Sequence, residues 1–162
     1  MIRRLFFAAF LLAGATAGGQ ERTSLVSTQL RVVGEVQHEL TLTVDDLRAL
    51  AMRRALASGG GYTGIRLIDV LEEAEIRRDA RLALRRTYVV ASATDGFQVV
   101  FSWAELFNTA VGGGVLVAFE RDNAPLRDGE GRIALVSLAD ERPGTRHVKW
   151  LSRIDVRRAP EP

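Results

Sequence analysis

Along the chain, short stretches of strand-like alternation are interrupted by even shorter stretches of helical spacing. "QLRVVGEVQHELTLT" alternates apolar and polar positions well enough for two short strands, broken near Gln37 and His38. "TVDDLRALA" then has helical spacing. Thr43 is placed to cap it, and Asp45 and Asp46 fall in the first turn, where the helix dipole favours acids. "MRRALAS", Met52 to Ser58, predicts a strand that ends at three glycines. In "GIRLIDVLEEAEI", Ile65, Ile68, Leu71 and Ala74 recur about a turn apart and Leu67 widens the stripe. That spacing predicts an amphipathic helix with Asp69, Glu72 and Glu73 on its polar face.

The second half is richer in strands. The charge run Arg77 to Arg86 is broken by acids and leucines and reads as a solvated loop. "TYVVASA" and "FQVVFS" flank "TDG", and Asp95-Gly96 between two β-branched runs predicts a hairpin. Ser102 and Glu105 in "SWAEL" have capping-box spacing and open a short helix. "VGGGVLVAFE" predicts a loop and then a strand, "RDNAPLRDGEG" a turn region, and "RIALVSL" and "HVKWLSRIDV" the last two strands. Strands with short inserted helices predict an α+β fold with mixed or antiparallel sheets, not a regular βαβ alternation.

The N-terminus follows a different pattern. "MIRRLFFAAFLLAGATAG" has Arg3 and Arg4, an apolar run from Leu5 to Leu12, and then Ala15-Thr16-Ala17. This is the layout of a secretory signal peptide, with cleavage expected after Ala17. The apolar run is too short to cross a bilayer as a helix, so no stable membrane span is expected after cleavage. "RRLFF" also resembles a twin-arginine signal, but only Met1 and Ile2 precede the arginines, so general secretion is the default. The expected organisation is a signal peptide over 1–17, a flexible tether over 18–28, one domain over 29–158 and a tail over 159–162. The expected location is periplasmic or secreted.

Removing the signal changes the charge reading. The whole chain has 22 basic and 20 acidic residues, and two of the basic ones lie in the signal. The remainder is balanced, which argues against nucleic-acid binding. There are no cysteines, so disulfides and thiolate metal sites are excluded, and two distant histidines do not make a zinc or iron site. No G-x-S-x-G nucleophile elbow occurs. "GGGYTG", Gly59 to Gly64, fits G-x-G-x-x-G, with Asp79 near the right place for a ribose contact. However, the hairpin that follows is not a second βαβ unit, so a nucleotide site stands third among the readings.

"GTRHVKWLSRIDV" holds the chain's one lysine, Lys149, with Arg146, His147 and Trp150 close by. In an extended strand Arg146, Val148 and Trp150 would share one face, and His147, Lys149 and Leu151 the other. Basic side chains and free amides where a loop enters a strand can bind a phosphate. An edge strand with a charged wet face would look the same in the sequence.

Five segments in order carry a resemblance: "LRVVGEVQHELTLTVDDLRAL", "YTGIRLIDVLEEA", "ATDGFQVVFSWAEL", "LVAFERDNAPL" and "GTRHVKWLSRIDV". From about Leu30 to Val156 the chain resembles the molybdopterin-binding oxidoreductase domain of the sulfite oxidase-like family. The resemblance implies that Arg146 and Lys149 hold the phosphate of a molybdopterin (molybdenum) cofactor, with His147 and Val148 contributing backbone contacts. It also implies a cysteine ligand to molybdenum near Arg53 to Gly61, where "RRALASGGG" has none, so catalytic residues stay unassigned and no metal ligand is named. Two readings follow. One is an exported molybdopterin-binding protein that binds the pterin or another small anion. The other is a cofactor-free periplasmic module on the same fold that engages a protein partner.

Overall fold

The structure is a computed structural model that describes residues 25–79, 82–142 and 144–161. The expected signal peptide and most of the expected tether lie outside the described residues. Among the described residues, ten strands form two sheets. In the first, β1 (Gln29–Gly34), β2 (Leu40–Thr43), β5 (Thr87–Ala93), β6 (Gln98–Ser102) and β10 (Leu151–Arg158) lie in the order β2-β1-β10-β5-β6. The β1–β10 pair is parallel, with Val32 opposite Ile154, and the other pairs of this sheet are antiparallel. The second is antiparallel and holds β3 (Leu56–Gly59), β4 (Tyr62–Arg66), β7 (Val115–Arg121), β8 (Ala124–Pro125) and β9 (Ala134–Ser137). The mixed α+β class read from the sequence is the observed one.

Among the described residues, three short α-helices join the strands: α1 (Val44–Arg53), α2 (Leu67–Ala74) and α3 (Trp103–Asn108). Thr43 caps α1 in a full capping box with Asp46: its hydroxyl accepts from the Asp46 amide while the Asp46 carboxylate accepts from the Thr43 amide. The main core lies between the sheets and helices and includes Leu30, Leu47, Ile65, Leu71, Phe101, Val117 and Ile154. A smaller cluster on the other face of the second sheet holds Tyr62, Leu116, Leu126 and Val136. Both faces of that sheet are therefore covered, and β7 is an almost unbroken apolar run instead of an alternating one.

Four expectations change. Helix α1 runs through Arg53, so the strand expected from Met52 begins only at Leu56. The stripe that includes Ile65 is split: Ile65 belongs to β4, and the helix starts at Leu67. Asp69 is buried, because Arg66 grips it with two bonds of 2.7 and 2.8 Å. The run Arg77 to Arg86, expected to be a loop, contains a 3-10 turn over Ala83–Arg86, whose Ala83 is buried.

The glycine motif also resolves differently. Gly60 and Gly61 have φ of 57° and 82° and make the tight turn of the β3–β4 hairpin, so Gly64 lies in a strand and no phosphate-binding helix start follows. Asp79 pairs with Arg158 at 2.9 Å. Among the described residues no helix is long and apolar enough to cross a membrane.

Gly64 faces β7 so closely that a Cβ there would fall 2.1 Å from the Val117 carbonyl oxygen. Gly64→Ala should therefore push β4 from β7 and cost about 1–3 kcal/mol. The expected readout is a lower urea midpoint with an unchanged slope. An unchanged midpoint would show that the two strands tolerate separation.

Candidate functional site

The segment Gly144 to Trp150 is not a strand. Regular pairing starts at Leu151, and before it Val148 makes one isolated bridge to Leu135, with bonds of 2.8 and 2.9 Å in the two directions. Trp150 has φ of 51°, a left-handed conformation rare for a bulky side chain. Four hydrogen bonds hold it there. Its amide donates to Glu130 O at 2.9 Å, and its carbonyl accepts from the Thr94 amide at 3.1 Å. Its indole Nε1 donates to Asp128 O at 2.7 Å, and the next amide, Leu151, donates to Ile133 O at 2.9 Å. The alternation expected for residues 146–151 is broken at this point.

Arg146 has every guanidinium arm engaged. Nε donates to Asp140 Oδ2 at 2.9 Å, Nη2 to Asp140 Oδ1, and Nη1 to Glu105 Oε1 at 2.5 Å. Its guanidinium carbon lies 4.5 Å from the centroid of the Phe101 ring. Side-chain exposure is 22% for Arg146, 8% for Asp140 and 29% for Glu105, so the cluster is largely covered. The hydrogen bond to Asp140 raises the Arg146 pKa above the ordinary guanidinium value, and the bond to Glu105 adds to it. The same bond lowers the pKa of Asp140, helped by Ser137, whose hydroxyl donates to it at 2.7 Å. Glu105 explains a half-made cap. Ser102 accepts from the Glu105 amide at 3.0 Å, but the Glu105 carboxylate turns to Arg146 instead of back to Ser102.

His147 stands edge-on to Tyr62, with ring centroids 5.7 Å apart and planes at 80°. Its Nε2 is buried without a partner, and burial lowers its pKa. Beside it, Arg121 donates to Tyr62 Oη at 3.2 Å and to Glu130 Oε1 at 2.5 Å, while Glu130 Oε2 is buried and unpaired. The backbone amides expected to reach a ligand are already used: Val148 donates to Leu135 O at 2.8 Å and His147 to Gly144 O at 3.3 Å.

Of the four expected residues, Lys149 alone keeps an uncommitted charge. It is exposed, has no ion pair among the described residues, and lines a cavity of about 210 Å³ with Asp95, Phe97, Gly144, His147 and Trp150. Trp150 also lines a second cavity of about 520 Å³, with Leu25, Asp128 and Gly129. Arg146 lines neither of these two cavities. No local pattern marks the carboxylates that occupy Arg146, one of which lies 41 positions away. The turn read at Asp95-Gly96 could have suggested Asp95 and Phe97 as neighbours only if its partner segment had been known.

The site is thus a loop-to-strand junction with one free cation, two aromatic rings and a half-buried imidazole, set on a two-sheet α+β domain. The family described as the oxidoreductase molybdopterin-binding domain matches residues 51–162. The chain belongs to that family, whose fold is the sulfite oxidase-like one. Among solved structures, the sulfane dehydrogenase SoxCD from Paracoccus pantotrophus is similar, at TM-score 0.57 and 20% identity, over 79% of this chain and 37% of that one. This chain therefore spans little more than a third of the length of that relative. No curated protein matches.

The donor set does not fit molybdenum. The chain has no thiolate, and among the described residues no three His, Asp or Glu side chains cluster as metal ligands.

Asp140 has a depressed pKa in the fold, so its contribution is fully present above the unfolded value of about 3.9 and is lost as pH falls through the folded value below it. Arg146→Ala should cost about 2 kcal/mol at neutral pH, between the values for exposed and fully buried pairs. It should also flatten the fall in stability below about pH 4. Urea melts at pH 7 and pH 3 check both. An equal loss at the two pH values would contradict the role of Asp140.

Proposed function

We propose that this chain is an exported binding protein that keeps the family's ligand class without the metal-centred redox step. Its ligand is a planar aromatic anion of the pterin-phosphate kind, taken at the Lys149–Trp150 cavities. The observation that carries this reading is Lys149: the uncommitted cation of the segment, with Phe97 and Trp150 lining the same space. An aromatic wall suits a fused heterocycle, and an ammonium suits a phosphate as a point charge. The larger cavity beyond Trp150 gives room that the smaller one lacks, since ligand sites usually occupy about 300–1,000 Å³.

Arg146, in this reading, does not touch the ligand. It positions the loop that carries Lys149, by binding Asp140 behind that loop and Glu105 on α3. The N-terminal segment 1–17 directs export and is removed after Ala17, which N-terminal mass analysis of the secreted protein would check.

A second reading, a cofactor-free interaction module, draws support from the same cluster. One guanidinium between two carboxylates leaves a local excess of negative charge, which disfavours an anion beside Arg146.

The two readings part on one measurement. Protein purified from its native host is denatured, and the released pterin is oxidised and quantified by fluorescence. The binding reading expects about one pterin per chain, and Lys149→Gln should weaken retention by about 10- to 100-fold, as for a lost charged hydrogen bond. Pterin-free protein, or full retention in Lys149→Glu, would favour the cofactor-free module.

A further inference from the structure

A third cavity, unrelated to the segment above, lies between the end of α2 and the start of α3. Its volume is about 430 Å³, within the range of small-molecule sites. It is separated from the Lys149 cavity by the length of β6, roughly 17 Å for five residues in a strand. Leu71 and the bridge residue Ile76 form an apolar floor. Trp103 and Phe107, one turn apart on α3, form a wall of stacked rings 5.3 Å apart and inclined by only 14°.

The rim carries both signs of charge, and they are not paired with each other. Glu75 caps the C-terminus of α2 at φ 55°, a position that glycine usually fills. Among the described residues, the basic group within 4.0 Å of its carboxylate is His38 Nε2. Arg78 lines the same cavity and has no carboxylate partner among the described residues. Glu72, the other acid on the rim, is already held by Arg54 at 3.2 Å. A carboxylate with only an exposed imidazole beside it, and a guanidinium without an ion pair among the described residues, thus share an aromatic-walled cavity.

We infer that this cavity binds a free α-amino acid with a bulky apolar or aromatic side chain. The ligand's ammonium goes to Glu75, its carboxylate goes to Arg78 as a bidentate partner, and its side chain lies against Trp103 and Phe107. A zwitterion meets both charges at once, and neither a simple amine nor a simple carboxylate does so. The inference does not rest on the pterin reading and stands or falls separately from it.

The test uses L-phenylalanine as probe. The chain has two tryptophans, so Trp150→Phe leaves Trp103 as the single fluorescent reporter, and calorimetry on the unsubstituted chain gives a measurement that does not depend on that variant folding. Saturable binding of L-phenylalanine by both methods is expected. Phenethylamine and 3-phenylpropionate, each with one of the two charges, should bind at least about tenfold more weakly, and Glu75→Gln and Arg78→Gln should each weaken L-phenylalanine by a similar factor. N-acetylphenylalanine amide, with neither charge, should not bind. The inference is overturned by the absence of any heat or emission change up to about 10 mM L-phenylalanine. It is equally overturned if phenethylamine binds as tightly as the amino acid, which would make the cavity a site for simple cations.

Discussion

One guanidinium organises the end of the molecule where the candidate site lies. Arg146 joins Asp140, on the loop that leaves the second sheet after β9, to Glu105, in the first turn of the helix that follows the first sheet's edge strand β6. Its plane also lies near Phe101, one of the largest fully buried side chains. The tie fixes the path of the chain into Val148 and Trp150, and so decides where Lys149 emerges. It has a cost for recognition, because three of the five guanidinium N–H donors, one on each nitrogen, are already directed at carboxylates. In the folded chain the two cations differ: Arg146 is paired with Asp140 and Glu105, and Lys149 has no ion pair among the described residues.

The parts of the fold that were legible in the sequence are those governed by local chemistry. The β5–β6 hairpin was readable because Asp95-Gly96 supplies its turn, and Asp95 does accept from the Phe97 amide at 2.9 Å. Helix α1 was readable because Thr43 and Asp46 cap each other. Errors came where one pattern served two periods. Ile65 and Leu67 fit a helical stripe with Ile68 and Leu71, but they also bracket Arg66 at the end of a strand, and pairing with β7 decides the matter. The left-handed turn at Trp150 had no local sign at all, since neither glycine nor asparagine marks it.

The site was less legible than the fold, because its decisive contacts are long-range. No spacing rule links Glu105 to Arg146, or Tyr62 to His147. The Ser102–Glu105 spacing was read as a reciprocal cap, and half of it is. The other half is lost because a distant arginine offers the Glu105 carboxylate a charge-assisted bond, stronger than the neutral amide it leaves. Residue type showed that an anion site was worth considering near Lys149. Only the tertiary arrangement shows how much of that chemistry is already spent inside the protein.

The missing thiolate belongs to the same pattern of local commitment. The resemblance places a metal-binding cysteine near Arg53 to Gly61, and here that stretch is the end of α1 and a tight hairpin. Gly60 and Gly61 have left-handed backbones that strain any side chain with a Cβ. A Cβ at Gly59 would fall 2.4 Å from a methyl group of Leu138, which lies over the turn. The Ser58 hydroxyl is already within 3.2 Å of the Thr63 hydroxyl. Of this hairpin turn, Gly60 and Gly61 are thus the positions whose backbone disfavours a ligating side chain, while Leu56 and Ser58 are exposed. What separates this chain from the redox pattern is therefore the absence of a thiolate in a hairpin whose tip, at Gly60 and Gly61, is committed to a tight turn.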